Sequence, residues 1–126
     1  MTPIHLTDAA FERVVSRPGI VVIDFWAPWC GPCRAFAPTF EQAAARHPDV
    51  TFAKVNTDDE QRLASEWAIQ SIPTVMAFKD GVAVFAQPGV LPGNALDSLV
   101  NQLRALDMNI VRRELAAESN RGQEVR

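Results

Sequence analysis

Cysteine is scarce in this chain of 126 residues: there are two, Cys30 and Cys33. Two thiols separated by two residues are too few to staple a secreted scaffold. None is required, because a chain of this length buries roughly two-thirds of its unfolded surface on folding. Positive charge is also short, with 12 Lys and Arg against 15 Asp and Glu and a net charge of −3. The excess of acid lies before residue 107, the segment after Leu106 being balanced. Such a surface offers no basic field to phosphates, which argues against nucleic acid as a partner. No apolar run approaches the roughly 20 residues that cross a bilayer, so no membrane span is expected. The opening Met1-Thr2-Pro3-Ile4-His5-Leu6 lacks the basic region, apolar core and small-residue cleavage site of a leader. Together with the cysteine usage, this sets the expectation of a cytoplasmic protein in a reducing compartment. Repeats and low-complexity tracts are missing too.

What is present is an ordinary globular composition, 48% hydrophobic and 21% charged, arranged as alternating strand and helix patterns. A short strand is expected at 4–6, followed by a helix capped by Thr7 whose inward face is Phe11, Val14 and Val15. Arg17-Pro18-Gly19 ends it. The run Ile20-Val21-Val22-Ile23-Asp24-Phe25-Trp26 is apolar without alternation, the mark of a strand buried on both faces, and it places the Asp24 carboxylate inside. Phe36, Phe40, Ala43, Ala44 and His47 share one helix face in 34–46, with Pro38 inside that helix as a kink. A strand at 51–56 leads to a helix starting at a Thr57 cap and reaching residue 67. A loop at 69–73, a strand at 74–78, a turn at Lys79-Asp80-Gly81 and a second strand at 82–86 make a hairpin. Leu96, Leu99, Val100, Leu103 and Leu106 stripe a last helix from about residue 94. The stripe continues through Ile110, Val111 and Leu115, so this helix is expected to run on past Leu106 into a frayed polar tail from Ser119. The order β-α-β-α-β-α-β-β-α implies an α/β fold, a central mixed sheet flanked by helices on both faces. The division expected is a domain over 1–106 and an extension over 107–126, a dimer face being the weaker reading of the extension and a monomer the stronger.

Trp29-Cys30-Gly31-Pro32-Cys33 joins the buried strand to the second helix. Free N–H groups and the dipole at a helix N-terminus favour negative charge, which stabilises a Cys30 thiolate and makes it the nucleophile. Cys33, one turn further in, is the resolving thiol. Gly31 and Pro32 keep the turn compact, proline costing little in a first turn. Zinc is the competing chemistry for such a pair, but it needs about four ligands and only His5 and His47 remain, neither at finger-like spacing. A cluster shared between chains has no better support. No metal is expected, and His5 is taken as a surface or packing residue. Asp24 is either a structural carboxylate or a proton acceptor for the buried thiol. Its position six residues before the pair favours the second reading, since burial raises a carboxyl toward neutrality. Lys54 on the next strand either moderates that shift or is a plain surface lysine.

Asp24-Phe25-Trp26-Ala27, then Trp29-Cys30-Gly31-Pro32-Cys33, Arg34 and Pro38, resemble the thioredoxin family. The landmarks Ala53-Lys54-Val55-Asn56-Thr57-Asp58, Ser71-Ile72-Pro73-Thr74, Phe78-Lys79-Asp80-Gly81 and Gly89 follow in order, over residues 4–106. The resemblance implies a cis Pro73 lying against the cysteines and a substrate-docking surface of Trp29, Gly31, Pro32, Ile72, Pro73 and Gly89, with Trp26, Lys54 and Pro38 supporting it. It implies a general protein-disulfide reductase with no bound cofactor. Its Cys30–Cys33 disulfide would be recharged from NADPH by a flavoprotein thioredoxin reductase, and its partners would be disulfide-containing client proteins. An oxidase or isomerase is a competing enzyme. A binding or regulatory subunit with secondary redox chemistry is the alternative of another class. Ser71 where the family commonly has glycine, the extra proline in Gln87-Pro88-Gly89-Val90, and the residues past Leu106 are departures. They bear on the range of partners rather than on the reaction.

Overall fold

The apolar run at 20–26 folds as the middle strand of a five-stranded sheet in a computed structural model that describes residues 2–124. The elements are β1 (Ile4–His5), α1 (Asp8–Val15), β2 (Ile20–Trp26), α2 (Gly31–Arg46), β3 (Thr51–Asn56), α3 (Gln61–Glu66), β4 (Thr74–Lys79), β5 (Val82–Pro88), α4 (Gly93–Ala105) and α5 (Met108–Glu124). The strands lie in the order β1-β3-β2-β4-β5. β1 and β2 both run parallel to β3, while β4 is antiparallel to β2 and to β5. The expected mixed sheet is present, with its parallel crossovers first and its hairpin last.

Alternation along β2 divides the core in two. Val22, with Phe52, Val75 and Ala77, packs under Phe36, Phe40, Ala43 and Ala44 of α2 and Leu96, Leu99, Val100 and Leu103 of α4. Val21, Ile23 and Phe25 face the other way, onto Phe11, Val14 and Val15 of α1 and Leu63 of α3. A strand clasped from both sides must be apolar at nearly every position, which is why it reads as an unbroken run. α2 passes through Pro38, which is exposed, without interruption. At its far end His47 stacks on Phe52, and its Nε2 lies 2.7 Å from Asp97 of α4.

Strand ends shift by one or two residues, and two helix boundaries differ more substantially from the sequence expectation. Thr57 does not cap α3, which begins only at Gln61 after Glu60. The Thr57 hydroxyl donates to the Trp26 carbonyl oxygen, 3.1 Å, and the Asn56 side chain accepts from the Asp58 and Asp59 amides instead. The last helix is also two helices. Leu106 is extended, with ψ at 124°, and Asp107 begins α5 by accepting from the Asn109 amide at 2.9 Å. The break is held from the sheet, because Lys79 Nζ donates to the carbonyl oxygens of Leu103 and Leu106, at 2.5 and 2.8 Å. A cation that satisfies the open carbonyls of a helix end removes the reason to continue the helix. Met108 is buried, while Ile110 and Leu115 of the expected stripe are 45% and 48% exposed. α5 runs through Ser119 to Glu124, and the end of the expected frayed tail, 125–126, lies outside the described residues.

α3 ends in a Schellman arrangement, Ile69 N–H to Ala64 O at 2.9 Å and Ala68 N–H to Ser65 O at 3.0 Å. Ala68 therefore carries the left-handed residue of that motif, with φ at 54°, where a Cβ is unfavourable and glycine is the usual occupant. Ala68→Gly is expected to raise the free energy of unfolding by about 1 kcal/mol, the left-handed strain relieved less the entropy glycine adds to the unfolded chain. Urea unfolding measures it. A variant less stable than the parent would contradict the strain.

Candidate active site

β2 ends at Trp26, and the chain turns through Ala27, Pro28 and Trp29, with Cys30 N–H donating to Ala27 O at 3.2 Å, before α2 begins. Cys30 is the N-cap of α2, and its sulfur accepts from the Cys33 amide at 3.2 Å. Pro32 sits in the first turn, where its missing N–H leaves no bond unmade. Cys30 and Cys33 are joined as a disulfide, their Cα atoms 5.2 Å apart. Both are buried, Cys30 at 5% exposure and Cys33 at 1%. The difference in access is thus smaller than their positions on the helix suggest, because Trp26 and Ile72 pack over the pair.

The peptide bond before Pro73 is cis, and it brings the Ile72 carbonyl oxygen to 3.8 Å from Cys30 Sγ. Thr74 braces the loop by donating to Ser71 O at 2.7 Å, and Gly89, in a left-handed conformation at φ 99°, donates its amide to Pro73 O at 2.8 Å. Gly89 stands at the end of β5, brought there by the pairing of Thr74 with Pro88. Trp29, 69% exposed, forms the outer wall with Gly31 and Pro32 exposed beside it, while Ile72 is half-buried and Pro73 buried. Of the expected docking residues, Ile72, Pro73 and Gly89 thus meet at one end of the sheet, with Ile72 against the cysteines.

Two further residues belong to this surface and have no signal in the sequence pattern. Asp58 accepts from Trp29 Nε1 at 3.2 Å and fixes the indole from the β3–α3 loop. Val90, 49% exposed, follows Gly89 as an apolar addition to the rim. Pro38 lies exposed within α2.

Asp24 lies fully buried in β2, and among the described residues nothing hydrogen-bonds to either of its carboxylate oxygens. Burial pushes its carboxyl up to about 7, and the Lys54 ammonium opposes the rise. Lys54 is the register partner of Asp24 on β3, and its Nζ stands 4.5 Å over the Trp26 ring. It is half-buried beside that carboxylate rather than a plain surface lysine. Neither sulfur is bonded to Asp24 in this disulfide state.

The family model described as Thioredoxin matches residues 2–102. A putative thioredoxin 2 of Streptomyces coelicolor is 47% identical over 115 residues, covering 91% of this chain and 86% of its own length. A thioredoxin of Haemophilus influenzae is 41% identical over 101 residues, covering 79% and 94%. Among solved structures, a mutant thioredoxin from Halobacterium salinarum superimposes with a TM-score of 0.76 at 32% identity, covering 84% of this chain and 94% of that one. Thioredoxin from Plasmodium falciparum gives 0.72 at 31%, covering 79% and 97%.

The buried carboxyl makes stability depend on pH. Below the ordinary value of 3.8 the folded and unfolded chains both hold the proton, and its contribution is complete. Between that value and about 7 only the folded chain holds it, so stability falls as pH rises and has lost the contribution above about 7. Asp24→Asn, which cannot ionise, is expected to exceed the parent in stability at about pH 8 by up to about 4 kcal/mol, the advantage shrinking toward about pH 4. Urea unfolding at both pH values checks this. A difference that does not change with pH would rule out the buried ionisation.

Proposed function

The chain belongs to the thioredoxin family and is a thiol–disulfide oxidoreductase, and we propose that it works as a general protein-disulfide reductase with Cys30 attacking, Cys33 resolving and Asp24 taking the proton. The observation that carries this reading is the closed Cys30–Cys33 disulfide at the N-terminus of α2, facing an exposed Trp29 and the Ile72–Pro73 loop. It is the oxidised end of the cycle.

In the reduced protein the amide of Cys33 and the start of α2 favour a Cys30 thiolate. That thiolate attacks one sulfur of the client disulfide. A Cys30–client disulfide forms, and the client's other sulfur leaves as a thiolate and takes a proton from solvent. Cys33 gives its proton to Asp24 and attacks Cys30 Sγ. The intramolecular disulfide forms, and the second client sulfur leaves. Two electrons have passed from the dithiol to the client, and no bound cofactor takes part.

A carboxyl held near neutrality suits the proton transfer, since it accepts from a thiol and releases again at similar pH. The docking residues fit an extended client segment: Ile72 offers its backbone, and Trp29, Pro32 and Val90 offer apolar contact without demanding a sequence. Recharging by a flavoprotein thioredoxin reductase drawing on NADPH completes the proposal, as does action in the cytoplasm as a monomer. A reductant of this kind is useful where the surroundings keep it reduced.

The order of attack is tested by trapping. Incubated with an insulin-like disulfide protein, Cys33→Ser is expected to form a covalent adduct that dithiothreitol releases, and Cys30→Ser none. Turnover falls to background in both. An adduct with Cys30→Ser alone would reverse the two roles, and disulfide reduction retained by the double variant would remove the cysteines from the reaction.

A further inference from the structure

Ser71 and Pro88, where this chain departs from the family pattern beside the docking loop, line one cleft. Its volume is about 220 Å³, and none of the residues that line it is charged. The floor comes from the pleat. Thr74 and Met76 are alternate residues of β4 and project to one face, and their register partners on β5, Pro88 and Ala86, project with them. One wall is the chain leaving α3, where the left-handed Ala68 turns it back past Ile69 and Gln70 to Ser71. Trp67 anchors that wall, its ring centroid 5.8 Å from that of Phe11 and 5.3 Å from that of Phe78.

β5 is the edge strand, and its two faces are unequally covered. Val84 and Phe85 pack against the cluster under α2 and α4. The cluster on the opposite face of the sheet takes in Met76 and Phe78 of β4 but, among the described residues, no residue of β5. Ala86 and Pro88 are exposed, so the hollow stays open. It begins beside the backbone that meets the client. Ser71 precedes Ile72, whose carbonyl oxygen lies 3.8 Å from Cys30 Sγ, and Thr74 follows Pro73. Pro88 precedes Gly89, whose amide donates to Pro73 O at 2.8 Å. Consecutive Cα atoms are about 3.8 Å apart and an extended segment rises about 3.3 Å per residue. A client strand along Ile72 therefore brings a side chain to this opening within about two residues of its reacting cysteine. Sites for free small molecules usually run to about 300–1,000 Å³. This cleft is on the scale of one side chain.

We propose that the cleft is a specificity subsite, which takes one uncharged side chain of the client segment docked along Ile72. The inference rests on the reading of Cys30 as the attacking thiol beside the Ile72–Pro73 docking loop. Trp67, Ile69 and Met76 give the cleft an apolar interior, and the Ser71 hydroxyl with the Gln70 and Gln87 amides gives it a neutral polar rim. A client carboxylate or ammonium entering here leaves water and meets no opposite charge, a cost that an apolar or amide side chain does not carry. The docking backbone makes no demand of its own, so the cleft supplies a bias across clients and not an exclusive choice. Ser71 adds a hydroxyl at the rim. Pro88 adds a rigid corner with no N–H to attract another strand.

The test mixes reduced protein with peptides whose single cysteine is held as a thiopyridyl disulfide. Cys30 attacks the peptide sulfur, the Cys30–peptide disulfide forms, and the thiopyridine leaves as a coloured thione that reports the rate. Leu, Gln, Glu or Lys is placed in turn at each of the two positions on either side of the cysteine. At one of these positions Leu and Gln peptides are expected to react about 5- to 20-fold faster than Glu and Lys peptides. Ala86→Lys, an exposed change on an edge strand, is expected to speed the Glu peptide and slow the Lys peptide at that position, and Ala86→Glu to do the reverse. Gln70→Lys acts in the direction of Ala86→Lys without touching the sheet. Dithiodipyridine, which has no peptide segment, reacts with all three variants at the parent's rate. Parent rates equal for the four side chains at every position overturn the subsite. A preference that all three variants leave unchanged overturns its placement in this cleft. Thione release by Cys30→Ser at the parent's rate instead removes Cys30 as the attacking thiol, the reading on which the subsite rests.

Discussion

One backbone amide sets the geometry of the redox centre: that of Cys33, which donates to Cys30 Sγ at 3.2 Å. The first N–H groups of any helix lack partners inside it, and the residue before the first turn normally answers with a side-chain oxygen. Here a sulfur fills that place. Cap and third helical residue are three apart, so the spacing of the two cysteines is the spacing of a cap and the amide it serves. It also leaves their Cα atoms 5.2 Å apart, within the range a disulfide spans. Pro32 between them has no amide to compete for the sulfur. The same bond that starts the helix thus favours the thiolate and aligns the second thiol behind it.

That helix start must be held still, and the sheet order does this. β2 lies between β3 and β4, clasped by one apolar cluster on each face, so the point where it releases the chain is fixed by both cores. The antiparallel pairing of β4 with β5 then delivers the Ile72–Pro73 loop and Gly89 to the same end, since Thr74 and Pro88 are partners. Client-facing backbone and reactive sulfur therefore come from different strands yet share one rigid support.

Much of this was legible in the residues. The unbroken apolar run at 20–26 announced a central strand, and the carboxylate inside it announced Asp24 as a buried group, because both statements depend only on local pattern. The cis bond before Pro73 and the docking surface came from the family resemblance, not from spacing. What the pattern missed depends on partners distant in sequence. Thr57 looks like a cap, but the Trp26 carbonyl, 31 residues away, takes its hydroxyl. The stripe through Leu106 looks continuous, but Lys79 Nζ, 27 residues before Leu106, satisfies its carbonyl and stops the helix. Asp58 fixes Trp29 from 29 residues away. A periodicity has no means of reporting such contacts.

The placement of Lys54 decides what kind of acid Asp24 is. An ammonium within bonding distance of a buried carboxylate makes a structural ion pair, held ionised far below neutral pH and of little use for moving protons. With the lysine absent, burial alone would drive the carboxyl further up and keep it protonated through the working range. Lys54 does neither. It is opposite Asp24 in register, yet its Nζ stands over the Trp26 ring at 4.5 Å and makes no salt bridge with Asp24. The cation is stabilised by the aromatic face while its field still reaches the carboxylate. Desolvation therefore remains the larger influence and the lysine the smaller, and their balance falls at about 7. Trp26 also closes over the two cysteines. One side chain therefore touches both the ammonium that opposes the acid's rise and the cluster that holds the sulfurs.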